Sequence, residues 1–182
     1  MPMDKALKYY YLACNKTGKK GENKEIKRKW IPPEIGLTLN IDGSFDYVTK
    51  SGGAGGVLRD ILGNWVAGFA AKINVNDALH SEIMALLLGA KLANKMCINT
   101  LQIVTYSTQI IDIIKNGHNS YSNIIAECRE LLQQLWSPRI SHNLRELNEV
   151  ADLLAKEGAK LTKEQTFVEW TKPLDFVLKK IE

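Results

Sequence analysis

Four side chains able to ligate cations or carry protons, Asp42, Glu82, His142 and Asp152, fall at or near the ends of predicted elements. Leu37, Leu39 and Ile41 alternate with Thr38, Asn40 and Asp42, which predicts a strand over 37–42 with Asp42 at its end and Gly43 closing it. A carboxylate so placed is either a turn acid facing water, since Asp-Gly is a common turn pair, or one member of a site. Glu82 opens a predicted helix, where a carboxylate also simply suits the helix dipole. His142 belongs to a predicted strand over 139–144, and Asp152 lies on the flank of a predicted helix over 149–160. Grouped carboxylates hold hard cations or move protons; scattered ones do neither. Spacing alone does not group these.

The elements that must position them follow from periodicity. Trp30-Ile31-Pro32-Pro33 holds the chain extended ahead of the first strand. Gly52-Gly53-Ala54-Gly55-Gly56 leads into a second strand, and the turn signal Leu62-Gly63-Asn64 reverses the chain into a third over 65–73. Three turn-linked strands predict an antiparallel meander. The glycine run is no phosphate loop and no dinucleotide fingerprint, because a strand follows where a Gly-Lys-Ser/Thr end or a helix would be needed. Its functional reading is that the glycines let a bulky backbone approach an adjacent strand.

From Asp77 or Ser81 to about Lys95, Ile83, Leu86, Leu87 and Ala90 form a helical apolar stripe. Glu82, Ala85, Gly89 and Ala93 share a second, small-residue face that lets the helix lie close against a sheet. Leu101–Thr105 reads as a buried strand, followed by helices over 108–115 and 124–136. Asn148 reads as the cap of the last helix. Strand and helix alternating in this way imply parallel pairing in the second half of the sheet.

The chain has 182 residues, 45% hydrophobic and 24% charged, values of an ordinary folded domain. No apolar run approaches the roughly 18 residues of a membrane span, and the first residues lack a signal peptide's apolar core. The expectation is an intracellular chain, in nucleus or cytoplasm, without a membrane partner, and a monomer. Cys14, Cys97 and Cys128 are odd in number and widely spaced, which argues for free thiols in place of a disulfide or zinc site. The net charge of +4 is uneven: residues 1–30 carry nine basic and three acidic side chains, so the remainder is slightly acidic. Such a basic arm is either a phosphate contact or a solvated linker. Three segments result: a basic arm over 1–30, a domain over 31–161 and a tail over 162–182 that packs outside it.

The segments LNIDGSF, GGAGGVLRD, ALHSEIMALLLGAKLA and SHNLRELNEVADLLAKEGA, in that order, resemble the type 1 RNase H domain, and more narrowly the plant retroelement-derived RNase H-like family. The resemblance implies an α/β RNase H-like fold: a five-stranded mixed sheet, strands 1–3 antiparallel and 4–5 parallel, flanked by helices. It implies hydrolysis of the RNA strand of an RNA–DNA hybrid with two Mg²⁺ ions. Asp42 would bridge the metals, Glu82 and Asp152 would hold one each, and His142 would assist proton transfer. Gly43, Ser44, Gly53, Gly55 and Ser81 would contact the nucleic acid, with Arg145, Glu146 and Asn148 as loop and cap residues. One position departs from the pattern. Tyr106 stands directly after the fourth strand, where the family has an Asp. A phenol, neutral and bulky, is a poor ligand for Mg²⁺, which takes compact oxygens in tight octahedral geometry. The expectations are therefore an RNase H-type nucleic-acid-binding domain with impaired hydrolysis, a catalytically inactive binder, or a retroelement remnant with a structural role.

Overall fold

The computed structural model describes residues 36–135, 138–143 and 148–181. The basic arm, Cys14, Arg145 and Glu146 lie outside them. The chain divides into two units, Met1–Ile31 and Pro32–Glu182, and every element below belongs to the second.

A hairpin-linked meander comes first: β1 (Leu37–Phe45), β2 (Gly52–Arg59) and β3 (Trp65–Ile73). Helix α1 (Ala78–Lys95), strand β4 (Leu101–Thr105), helices α2 (Thr108–Asn116) and α3 (Ser122–Gln134), strand β5 (Arg139–His142) and helix α4 (Glu149–Lys160) follow. Strand β6 (Phe167–Trp170) and helix α5 (Asp175–Ile181) end the chain. The sheet order is β5-β4-β1-β2-β3-β6, with β1–β2, β2–β3 and β3–β6 antiparallel and β1–β4 and β4–β5 parallel. The predicted pairing of the first five strands is therefore observed, and the sheet has a sixth. The segment 162–182 is no loose cover: β6 extends the sheet at its β3 edge, and Val177 of α5 is fully buried with Val57, Val150 and Leu154. Four residues bounded by Thr166 and Thr171 give too short a period-2 signal to announce that strand.

Two faces of the sheet receive helices through different chemistry. Leu39 and Ile41 of β1 point toward α1, where a Cβ on Gly89 would lie 2.8 Å from Leu39 Cδ2 and 3.1 Å from Ile41 Cγ2. The small-residue face of α1 thus rests on the sheet as its sequence predicts, while Ile83, Leu86 and Leu87 fill the core between α1 and its neighbours. Burying each such side chain contributes about 1.5–3 kcal/mol. Helix α3 closes that layer: Asn94 Nδ2 donates to Leu131 O at 3.0 Å, and the Cys128 thiol faces Ile83 O at 4.0 Å.

On the opposite face, α4 crosses β2 with almost nothing between the backbones. A Cβ on Gly53 would lie 2.0 Å from Ala155 O, and one on Gly55 2.2 Å from Ala155 N. Gly158 makes the reciprocal approach, 2.4 Å from Ala71 O. The bulky backbone that the glycine run admits is this helix. Gly53 and Gly55 are buried beneath it, whereas the contact with nucleic acid drawn from the resemblance needs them at an open surface. At the far end of α4, Lys72 Nζ donates to Leu161 O at 2.7 Å and to Ala159 O at 3.4 Å, satisfying carbonyls that the helix leaves open.

Among the described residues, no helix is long and apolar enough to cross a membrane. Gly55→Ala should destabilise the fold by about 1–3 kcal/mol, because backbone, not a flexible side chain, meets the added methyl. A urea titration with an unchanged midpoint would show that α4 does not lie on β2 as described.

Candidate functional site

Asp42 lies within β1 and not at its end. The strand runs on through Gly43, Ser44 and Phe45, which pair with Ala54, Gly53 and Gly52. Only 1% of Asp42 is exposed, so it is no turn acid. Alternation sends Asn40 and Asp42 to the α4 face, opposite Leu39, Ile41 and Gly43. The partner of Asp42 across the ladder is Gly55, the residue on which α4 sits.

Gly43 fixes the second carboxylate. A Cβ there would lie 2.4 Å from the Ser81 carbonyl carbon and 2.5 Å from Glu82 N, so only glycine lets the start of α1 close on the strand. Helix α1 begins at Ala78 with Asp77 as its cap, which places Glu82 one turn inside. It is 6% exposed, unlike a first-turn acid that faces water to meet the dipole. Ser81 is fully buried, and its hydroxyl donates to Ala78 O at 2.7 Å. Its hydroxyl is thus engaged internally, whereas the expected contact with nucleic acid needs it at an open surface.

The third carboxylate depends on Asn148. Its amide donates to Ile41 O at 2.8 Å and accepts from Asn40 Nδ2 at 3.1 Å, tying the start of α4 to β1. The residue stands at the N-cap position, but its side chain makes no cap hydrogen bond. Asp152 N donates to Asn148 O at 3.1 Å, and the half-buried Asp152 carboxylate pairs with Lys156 Nζ at 2.6 Å. The buried bridge from Asn148 to β1 and the role of Lys156 were not visible in the sequence. Asn40 lies 108 residues away, and only the i, i+4, i+8 spacing of Asn148, Asp152 and Lys156 hinted at a common stripe.

The remaining positions follow the parallel register. β1 and β4 pair from Leu37–Leu101 to Asn40–Val104, and Asp42 and Tyr106 each follow two residues beyond the last pair. Tyr106 is half-buried directly after β4. His142 ends β5 opposite Thr105 and is exposed, and Asn143 N donates to Thr105 O at 2.9 Å. Gly43 and Ser44 are half-exposed along the same edge. Asp42, Glu82, Tyr106, His142 and Asp152 thus come from five elements around the C-terminal ends of two parallel strands. That is where open α/β sheets bind ligands.

Fit to a pair of Mg²⁺ ions is a separate matter. Among the described residues, no three His, Cys, Asp or Glu side chains gather so as to hold one metal ion. Asp152 is engaged by an ammonium, and the position directly after β4 carries a phenol. The donor set present does not fit the two-ion arrangement that the resemblance implied.

With this geometry, the comparisons with known proteins are specific. The reverse transcriptase-like family matches residues 40–158, and the chain belongs to that family. An Arabidopsis thaliana protein named as a ribonuclease H protein is 31% identical over 137 residues, covering 73% of this chain. This chain spans only 22% of that relative's length. Among solved structures, RNase H1 of the archaeon Halobacterium salinarum superposes with a TM-score of 0.63 at 22% identity, covering 66% of this chain and 95% of its own. LC11-RNase H1, solved with an RNA/DNA hybrid, gives 0.60 at 18%, covering 66% and 94%. The foamy viral protease-reverse transcriptase, also with an RNA/DNA hybrid, gives 0.60 at 18%, covering 79% of this chain and 22% of its own. The fold is RNase H-like.

A second polar cluster holds the start of α1. Asp77 accepts from His80 N at 2.7 Å and from the Tyr121 hydroxyl at 2.6 Å, and Tyr121 lies between the rings of His80 and His118. Desolvation alone would raise Asp77, but the bonds from Tyr121 and His80 outweigh it and hold the carboxyl below its usual range. The bond to Asp77, reinforced by burial, pushes the Tyr121 phenol up to about 12. A phenol raised on folding contributes stability that is fully present below its ordinary value of about 10 and is lost as pH rises through its folded value. An ultraviolet titration should therefore show one late-ionising tyrosine near the alkaline limit. Tyr121→Phe should remove it and flatten the loss of stability in that window. A late step that survives the substitution would contradict the Asp77 tie.

Proposed function

We propose that this domain binds nucleic acid, with an RNA–DNA hybrid as its preferred duplex, and hydrolyses the RNA strand weakly or not at all. The observation that carries this reading is Tyr106 directly after β4, just beyond the end of the parallel ladder that β4 forms with the strand of Asp42. Membership of the family, together with the half-exposed Gly43 and Ser44 beside the buried carboxylates, supports binding along the C-terminal edge of β1. Proteins with this fold have been solved with an RNA/DNA hybrid, and the wide minor groove and 2′-hydroxyls of such a duplex mark its RNA strand. Asp42, Glu82 and Asp152 are the carboxylates that a hydrolytic site would use, and His142, exposed at the end of β5, is its candidate proton carrier.

Hydrolysis fails on the fourth position. Changes to groups that merely orient metal ligands cost about 10- to 100-fold in affinity or activity. Replacing a ligand itself with a neutral ring should cost at least that. Asp112 offers no rescue, because it is exposed on α2 and accepts from Asn116 Nδ2 at 2.7 Å.

Cleavage of an end-labelled RNA–DNA hybrid in Mg²⁺ or Mn²⁺ tests the proposal. The unaltered chain should give little or no product. Tyr106→Asp should raise the rate at least 10-fold, and adding Asp42→Asn to that variant should abolish the gain. Robust cleavage by the unaltered chain, lost on Asp42→Asn, would overturn the impairment. No gain from Tyr106→Asp would overturn the role given to that position.

A further inference from the structure

One row of paired positions crosses the sheet beneath the start of α4. Asn40 of β1 pairs with Val57 of β2, Val57 with Gly68 of β3, and Gly68 with Trp170 of β6. Partners in antiparallel ladders share a face, so all four positions look toward α4. At one end of the row Asn40 Nδ2 donates to Asn148 Oδ1 at 3.1 Å, and at the other end stands Trp170 of the C-terminal segment. We infer that this segment is a positioning element of the site: Trp170 and Val177 set where the first two turns of α4 lie, and with them Asp152. The inference rests on the reading above that Asp152 belongs to the hydrolytic site.

Val57, Val150, Leu154 and Val177 form a small core of their own, with Trp65, Trp170 and Leu174 packed against it. Val150 and Leu154 bracket Asp152 along α4, and the segment after β3 and α4 supplies Trp170, Leu174 and Val177 to meet them. Leu154 and Val177 are fully buried. Glycine at position 68 serves this packing, because a Cβ there would lie 2.2 Å from Trp65 Cζ2. The Trp65 indole takes that place in the row, and its Nε1 donates to Trp170 O at 3.3 Å, which fastens β6 to the cluster.

The start of α4 is thus held from two sides by different forces. Toward β1 the Asn148 bonds are directional. Toward β3 and β6 the helix meets apolar packing, which has no preferred direction, so a void there is filled only by movement of what surrounds it. The glycine contacts grip α4 at Ala151 O and from Leu154 to Ala159, which leaves Val150 to the tail's cluster. The strand that carries Trp170 is itself secured on its other face. Phe167 stacks on Phe69 with ring centroids 5.9 Å apart, and Glu169 pairs with Lys95 of α1 at 2.8 Å.

Backbone amide hydrogen exchange, followed by NMR on the full chain, tests the assignment without substrate. Asp152 N donates to Asn148 O at 3.1 Å, so its amide reports the first closed turn of α4. Val177→Ala and Trp170→Ala should each speed exchange at Asp152, Leu153 and Leu154 several-fold more than at Leu39 and Ile41 of β1, whereas Trp170→Phe should stay near the unaltered rates. Leu132→Ala opens a void on the α1 face and should leave the ratio of the two regions unchanged. An unchanged ratio in either tail variant, or an equal rise in Leu132→Ala, would overturn the positioning role. Hybrid cleavage supplies the second readout: in the Tyr106→Asp background, Val177→Ala should cut the gain several-fold and Leu132→Ala should keep it. A gain that survives Val177→Ala would overturn the link to the site. Absence of any gain from Tyr106→Asp would overturn the hydrolytic reading instead, with exchange still deciding the positioning. Far-UV circular dichroism confirms that each variant is folded before it is scored.

Discussion

Backbone-to-backbone packing at three glycines sets the position of everything that matters in this domain. Gly53 and Gly55 let α4 lie directly on β2, and Gly43 lets the first turns of α1 close on β1. A single methyl at any of these positions would meet main-chain atoms at 2.0–2.5 Å. Neither helix has a side-chain cushion that could yield. The three carboxylates are therefore held by rigid elements on both faces of one strand, and their arrangement depends on the sheet's central pair, β1 and β2. The Asn148 bridge to β1 adds directional bonds to the same contact, so the rotation of α4 is fixed as well as its distance.

The same rigidity holds the end of β4. Leu101, Ile103 and Val104 are buried and paired in parallel with β1, so the backbone that leads into Tyr106 is anchored by the core. Burying carboxylates such as Asp42 and Glu82 is costly unless the surroundings compensate. A metal ion is one such compensation. Here the neighbouring position offers a phenol, and the outer carboxylate has recruited a lysine from its own helix.

Much of this fold was legible in the residues because its signals are local. The third strand, Trp65–Ile73, matches its predicted bounds, and α1 follows its apolar stripe. Asp42 was legible only as a choice between turn and site, since Asp-Gly suits both. Pairing of Gly43 with Ala54 resolves that choice, and no local pattern contains it. The glycine run was correctly read as a place of close approach, but the approaching backbone came from residues about 100 positions later, so nucleic acid was assigned to a surface that α4 covers. The sixth strand and the bridge from Asn148 to β1 escaped for the same reason. Each is defined by a partner distant in sequence, Ala71 for Phe167 and Asn40 for Asn148.

Cation binding by the protein alone, without substrate, tests the central claim most directly. Isothermal titration of the unaltered chain with Mn²⁺ should show no saturable heat at millimolar metal, and Tyr106→Asp should introduce a binding event that Asp42→Asn removes. Saturable Mn²⁺ binding by the unaltered chain, lost on Asp42→Asn, would contradict the account, because it would mean that the carboxylates of β1, α1 and α4 hold a metal with Tyr106 in place.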